Sequence, residues 1–192
     1  MEKININKRE ILSEQTYRLE RISFTKPGLE KPGQQLEYEV YFRPDAVTVL
    51  LVDHQNEEFI LASQIRLPVY LNPQGKARGY LLEACAGLME EGESAEQAAI
   101  REVREEMGYQ ISAPVKIGGV YTSAGGLTEY VHLFIAEVSP EEQKGEGGGA
   151  EDEEEDIEII RLKFVQAKEM LENAEINDAK TVLLLQHFFL YH

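Results

Sequence analysis

Apolar residues recur along the chain in two rhythms. Residues 47–52 (VTVLLV) are continuously apolar and predict a buried strand. A polar HQNEE segment turns the chain, and 59–65 (FILASQI) predicts a returning strand that ends at Arg66. Shorter runs at 81–83, 115–122, 130–138 and 157–164 also read as strands, with His132 half-buried in the sheet. The helical rhythm is clearest where Ala95, Ala99, Val103 and Met107 recur every four residues. That spacing predicts a helix over 95–107, with Ser94 as N-cap and Gly108 as its stop. VQAKEMLENA and AKTVLLLQHFFLY predict two more helices, with Met170, Leu171, Leu184 and Phe188 facing the core. Near the start, Tyr17, Leu19, Ile22 and Phe24, then Leu36, Tyr38, Val40 and Phe42, flank the turn signal KPGLEKPG. Two strands alone are marginal in water, so this hairpin is expected to pack on the main domain or on a second subunit. Strands alternate with helices, which predicts the α/β class. The expected organisation is a hairpin extension over 1–42 and one domain over 43–192, without internal repeats.

Composition narrows the function. The 192 residues are 43% hydrophobic, enough for one real core. The formal net charge of −16 argues against non-specific nucleic-acid or anionic-membrane binding. A phosphorylated substrate is still allowed, because bound cations invert local charge. The single cysteine, Cys85, rules out an internal disulfide and a cysteine zinc cluster, and its apolar surroundings predict a buried thiol. No apolar run reaches transmembrane length and no signal peptide is seen, so a cytoplasmic soluble protein is expected. The glycine-rich stretch 139–150 is expected to be mobile. It leads into an acidic block, with seven of the 35 acidic residues between 151 and 158.

The candidate chemistry sits on the 95–107 helix. Glu102 and Glu106 are one turn apart with Glu105 beside them, away from the apolar ridge and on the expected exposed face. Carboxylates this close repel, by roughly 1 kcal/mol per pair at about 4 Å even in water. Hard oxygen ligands on a rigid element suit Mg²⁺ or Mn²⁺. Taken alone, the patch reads first as a solvated face partnered by Arg101 and Arg104. The wider spacing changes that. Gly87, Glu93, Arg101-Glu102, Glu105-Glu106 and Gly108 stand at every fixed position of the Nudix box. The chain therefore resembles the Nudix hydrolases. EACAGL before the box, SAGGLTE after it, the glycines with the acidic EDIE run, and INDAKTVLLLQ resemble their nucleotide-sugar branch. Tyr109 stands where the box more often has an aliphatic residue, and is expected to fill the same apolar site.

The resemblance implies a mixed sheet sandwiched between helices, a divalent metal (Mg²⁺, or Mn²⁺), and hydrolysis of a nucleoside diphosphate sugar. GDP-mannose is the first expectation, and ADP-ribose or another ADP-sugar the alternative. A non-catalytic ligand-binding module on the same fold is the reading from another class. By resemblance, Ala86 offers its carbonyl to metal, with Glu102, Glu106 and Glu155 as side-chain ligands. Glu105 joins them or holds water beside them. Glu153 is the general base, and Glu93 pairs with Arg101 to brace the loop. Arg66, Ala86, Gly87, Leu88, Glu129, Glu154 and Lys180 match positions that contact substrate. Glu37, Tyr38 and Glu39 depart from the basic residues expected in the second hairpin strand. The family is typically dimeric, with the hairpin against the partner, so a homodimer is expected.

Overall fold

The computed structural model describes residues 3–28, 33–74, 79–149 and 156–192. Two compact units emerge: Met1–Asp45 with Tyr121–Tyr130, and Ala46–Val120 with Val131–His192.

The first unit is built on an antiparallel sheet of β1 (Asn5–Glu14), β2 (Arg18–Lys26) and β3 (Gln34–Phe42), in that order. β2 and β3 are the expected hairpin strands. β1 was not expected, because NINKREILSE is nearly all exposed and lacks an apolar face. Pairing with β2 makes it a strand rather than burial of its own side chains. Within this unit Glu20 is 3% exposed and takes Arg18 Nε at 2.8 Å.

The second unit carries a seven-stranded mixed sheet. Its main path is β10 (Glu158–Lys163), β5 (Glu58–Ile65), β4 (Ala46–Asp53), β9 (Tyr130–Glu137) and β8 (Val115–Tyr121). β6 (Tyr80–Glu83) pairs with β5, and β7 (Cys85–Leu88) pairs with β4. β4 runs parallel to β9 and antiparallel to β5. Four α-helices, α1 (Leu67–Leu71), α2 (Ala95–Met107), α3 (Phe164–Glu172) and α4 (Ala179–Tyr191), and a 3-10 turn at Pro140–Glu142 complete the described residues. Side chains alternate across β4, so its two faces supply two cores. Val47, Val49 and Leu51 meet Ala95, Ala99, Val103 and Met107 of α2, and Cys85 is buried among them. Leu50 and Val52 share the other core with Ala167, Leu184, Leu185 and Phe188. The continuous apolar run of β4 is thus a strand covered on both sides, with α2 over one face and α3 and α4 over the other.

α2 begins and ends where the pattern predicted. Ser94 accepts from the Gln97 amide while Gln97 closes a capping box, and Gly108 takes φ 71°. Tyr109 fills its expected apolar site completely, at 0% exposed, and its hydroxyl accepts a 2.6 Å hydrogen bond from Arg161.

The glycine-rich stretch after β9 is not the loose tether its composition predicted. The amides of Lys144 and Gly145 donate to the Gly108 carbonyl at 2.8 and 3.0 Å, and the Gly148 amide donates to Glu106 at 2.8 Å. The strap is seated on the orphan carbonyls at the C-terminal end of α2, which satisfies them. A β-carbon on Gly108 would collide with the Gly145 carbonyl. Gly108 therefore both ends the helix and makes room for the strap.

Candidate active site

The box assembles around one arginine. Arg101 is held on α2, and its side chain is 21% exposed. Its Nε and Nη2 grip the Glu93 carboxylate at 3.1 and 3.0 Å. Nη2 also donates to the Leu88 carbonyl at 2.9 Å, and Nη1 donates to Glu102 at 2.8 Å and Glu105 at 3.3 Å. Every guanidinium donor is engaged, so loop, strand and helix are fixed against each other. The Glu93 carboxyl lies below its ordinary range through the Arg101 hydrogen bonds, which outweigh burial, with the Glu90 amide and the Arg101 charge adding. Arg101 in turn is held above its ordinary value, first by the hydrogen bond to Glu93.

The ligand candidates are more buried than expected. Glu102 and Glu106 do not lie on an exposed face. They are 9% and 3% exposed, because β7 crosses the same side of α2. The Ala86 amide donates to Glu106 at 3.0 Å. The Glu102 carboxylate occupies the space that a β-carbon on Gly87 would fill. Gly87 is thus required by the close approach of a carboxylate to backbone. Among the described residues, no three His, Cys, Asp or Glu side chains gather into a cluster able to hold an ion. Glu105 is turned to Arg104 at 2.6 Å and to Arg101 at 3.3 Å, with its side chain 31% exposed. The donor set still fits a hard divalent cation: two carboxylates, nine-tenths buried and one turn apart, beside the backbone of Ala86.

A second group of expected residues meets at a carboxylate that was not expected. Arg66 is the N-cap of α1, and Lys180 lies in the first turn of α4. Both contact Glu83, at 2.6 and 3.2 Å. Lys180 also holds Asp178 at 2.7 Å, and Asp178 caps α4 through the Thr181 amide at 2.9 Å. Burial alone would lower the Lys180 ammonium, but Asp178 and Glu83 outweigh it and hold the group above its ordinary value. Glu83 did carry a signal in the sequence: it is the one charge inside the apolar LLEACAGLM, and a buried charge demands partners.

Glu129 belongs to the first unit, where it pairs with Arg43 at 3.2 Å and accepts from Thr122 at 3.0 Å. His132 stands half-buried in β9. Glu153, Glu154 and Glu155 lie outside the described residues.

Breaking the brace has a pH signature. A depressed carboxyl adds stability that is complete above the ordinary carboxylate range and is lost as pH falls through its depressed value. Arg101→Met is expected to lower stability by about 2 kcal/mol near neutrality. It should also flatten the acid limb of Tm against pH, because Glu93 then returns toward its ordinary value. Parallel limbs for parent and variant would show that the pair contributes nothing to acid stability.

The chain is similar to known proteins. The NUDIX domain family matches residues 42–185. A GDP-mannose pyrophosphatase of Cronobacter sakazakii is 40% identical over 184 residues, covering 96% of this chain and 94% of that protein. One from Shigella flexneri is 38% identical over 193 residues, covering 100% and 97%. The crystal structure of an ADP compounds hydrolase superposes with TM-score 0.74 at 21% identity, covering 100% of this chain and 95% of that one. At that identity the structural likeness speaks to the fold.

Proposed function

The chain belongs to the Nudix family, and on that premise we propose that it hydrolyses the diphosphate of nucleotide sugars, GDP-mannose first among them. The observation that carries the reading is the Glu102 carboxylate seated on Gly87, with Glu106 tied to Ala86. An intact, buried carboxylate pair is what catalysis needs and what a mere binding module has no reason to keep. Full-length likeness to GDP-mannose pyrophosphatases of two bacteria supports the choice of sugar.

Glu102 and Glu106, with the Ala86 carbonyl and Glu155, would hold Mg²⁺, which when bound polarises phosphoryl oxygens and makes water a better nucleophile. Arg101 holds Glu102 and the 88–93 loop in place. Glu153 takes the proton of the attacking water. Arg66 and Lys180 supply positive charge to the diphosphate as charge builds on it. Water adds to one phosphorus, the bridging P–O bond breaks, and GMP and mannose 1-phosphate leave with the released protons. The test is a panel of GDP-, ADP- and UDP-sugars with Mg²⁺, with products separated by chromatography. GMP and mannose 1-phosphate should form fastest. Faster release of AMP from ADP-ribose would favour the second reading. Glu37 and Glu39, which face Arg21 at 3.6 and 3.3 Å where basic residues were expected, leave the nucleobase and sugar preference to that panel.

The enzyme acts as a homodimer through its first unit in this reading. Ile4, Ile6, Ile11 and Tyr38 are 59%, 52%, 55% and 51% exposed there, more apolar surface than a small sheet in water favours. Removing residues 1–42 is expected to weaken self-association in sedimentation, and an unchanged dimer would refute the assignment. None of the described helices is long and apolar enough to cross a membrane. The buried thiol of Cys85, the one cysteine in the sequence, suits a reducing compartment, and the cytoplasm is the proposed location.

A further inference from the structure

We propose that Glu83 is a positioning residue that presents Arg66 and Lys180 as a preformed clamp for the substrate's diphosphate. The proposal rests on the nucleotide-sugar reading above for its substrate. It rests on geometry for the role of Glu83.

Three elements distant in sequence converge on this carboxylate: the start of α1, the end of β6 and the first turn of α4. Glu83 is 2% exposed, and each of its oxygens receives one cation, Oε2 from Arg66 Nε and Oε1 from Lys180 Nζ. The contacts then close into a ring. Lys180 donates to Asp178 Oδ1, and Asp178 Oδ2 accepts from the Thr181 hydroxyl at 2.7 Å. That hydroxyl in turn accepts from the Ala84 amide at 2.7 Å, next to Glu83 itself. Thr181 is fully buried and Asp178 is 8% exposed. The ring therefore fixes α4 to the strand that leads into the box.

The layering of charge gives the ring a direction. The two carboxylates lie beneath, while the Arg66 and Lys180 side chains are 38% and 19% exposed above them. Arg66 uses only Nε on Glu83, and no described residue takes its two terminal amino groups by hydrogen bond or ion pair. Lys180 uses two of its three donors. The outward surface is thus made of N–H donors held by buried acceptors. Long basic side chains ordinarily lose rotamer freedom when they grip a phosphate, and here that ordering precedes binding. Glu83 and Ala86 are three residues apart, about 10 Å along an extended chain. On this proposal the diphosphate extends from the clamp toward the carboxylate pair on α2.

Glu83→Gln keeps the size of the side chain and removes its charge. Two measurements read its effect. In the first, inorganic pyrophosphate is titrated calorimetrically into metal-free protein, and the variant is expected to bind about tenfold more weakly than the parent. In the second, nucleotide-sugar kinetics should show KM raised about tenfold with kcat falling by less than about threefold. The alkaline rise in KM should also move to lower pH, because Lys180 loses one of the anions that keeps it protonated. A merely structural role would not move that limb. Unchanged pyrophosphate affinity, or a loss confined to kcat, overturns the proposal. If circular dichroism shows that the Gln variant fails to fold, Glu83→Asp decides in its place. It keeps the charge but is too short to hold both cations, and a parental KM there overturns the proposal too. A parent that hydrolyses no nucleotide sugar, yet loses pyrophosphate affinity on Glu83→Gln, refutes the substrate while upholding the clamp.

Discussion

Replacing Glu106 by glutamine is expected to lower kcat by about 100-fold or more while leaving the fold intact. The geometry separates the two effects. Glu106 is 3% exposed and accepts the Ala86 amide at 3.0 Å, a bond that a glutamine carbonyl can keep. What the variant loses is charge at a site inferred to hold a divalent cation. The same loss relieves repulsion in the metal-free protein. Two carboxylates about 6 Å apart repel by about 2–3 kcal/mol at an effective dielectric near 20, before Arg101 offsets part of it at Glu102. The metal-free variant should therefore melt no lower than the parent. Mg²⁺ should raise the Tm of the parent through linkage and that of the variant much less. Parental turnover in the variant would remove Glu106 from the metal site, and a metal-free variant that melts far lower would mean the carboxylate mainly supports the fold.

What could be read from the sequence was what local physics decides. α2 was legible to the residue because its apolar ridge, capping box and left-handed glycine all act within one segment. β4 was legible because burial on both faces leaves a continuous apolar run. β1 was not, because its polar residues form a strand only by pairing with β2. α1 was missed because five residues with a proline at the second position are too few for a helical period. The candidate site divides the same way. The spacing of the box identified Glu102 and Glu106, but placed them on an exposed face, since the crossing of β7 and the space left by Gly87 are tertiary facts. The Glu83 ring joins residues 97 positions apart, and no local pattern encodes such a meeting. The strap at 145–149 shows the reverse error. Glycine content suggested freedom, whereas these glycines permit close docking onto α2.

That docking bears on the second large effect, expected at Glu153. The acidic run between residues 150 and 155 is bounded by anchored flanks. On one side the Gly148 amide is bound to the carbonyl of Glu106. On the other, Ile157 is 7% exposed in the core that contains Met107 and Tyr109. Both anchors belong to the end of α2 that carries Glu106. On the proposed role of Glu153 as base, proton transfer to it is worth about 10²–10⁴-fold in rate. Glu153→Gln is therefore expected to lower kcat by about 10²–10⁴-fold with KM close to parental, because proton transfer contributes only in the transition state. Glu155→Gln should instead raise the Mg²⁺ concentration needed for half-maximal rate. Glu151→Gln and Glu154→Gln serve as neighbours in the same scan and fix the register. The measurement is steady-state kinetics for each variant across a range of Mg²⁺ concentrations. If all four keep parental rates throughout, the acidic run carries neither base nor ligand. The base would then be sought at Glu105, beside the proposed ligands on α2, or at Glu129, which Arg43 and Thr122 hold in the first unit.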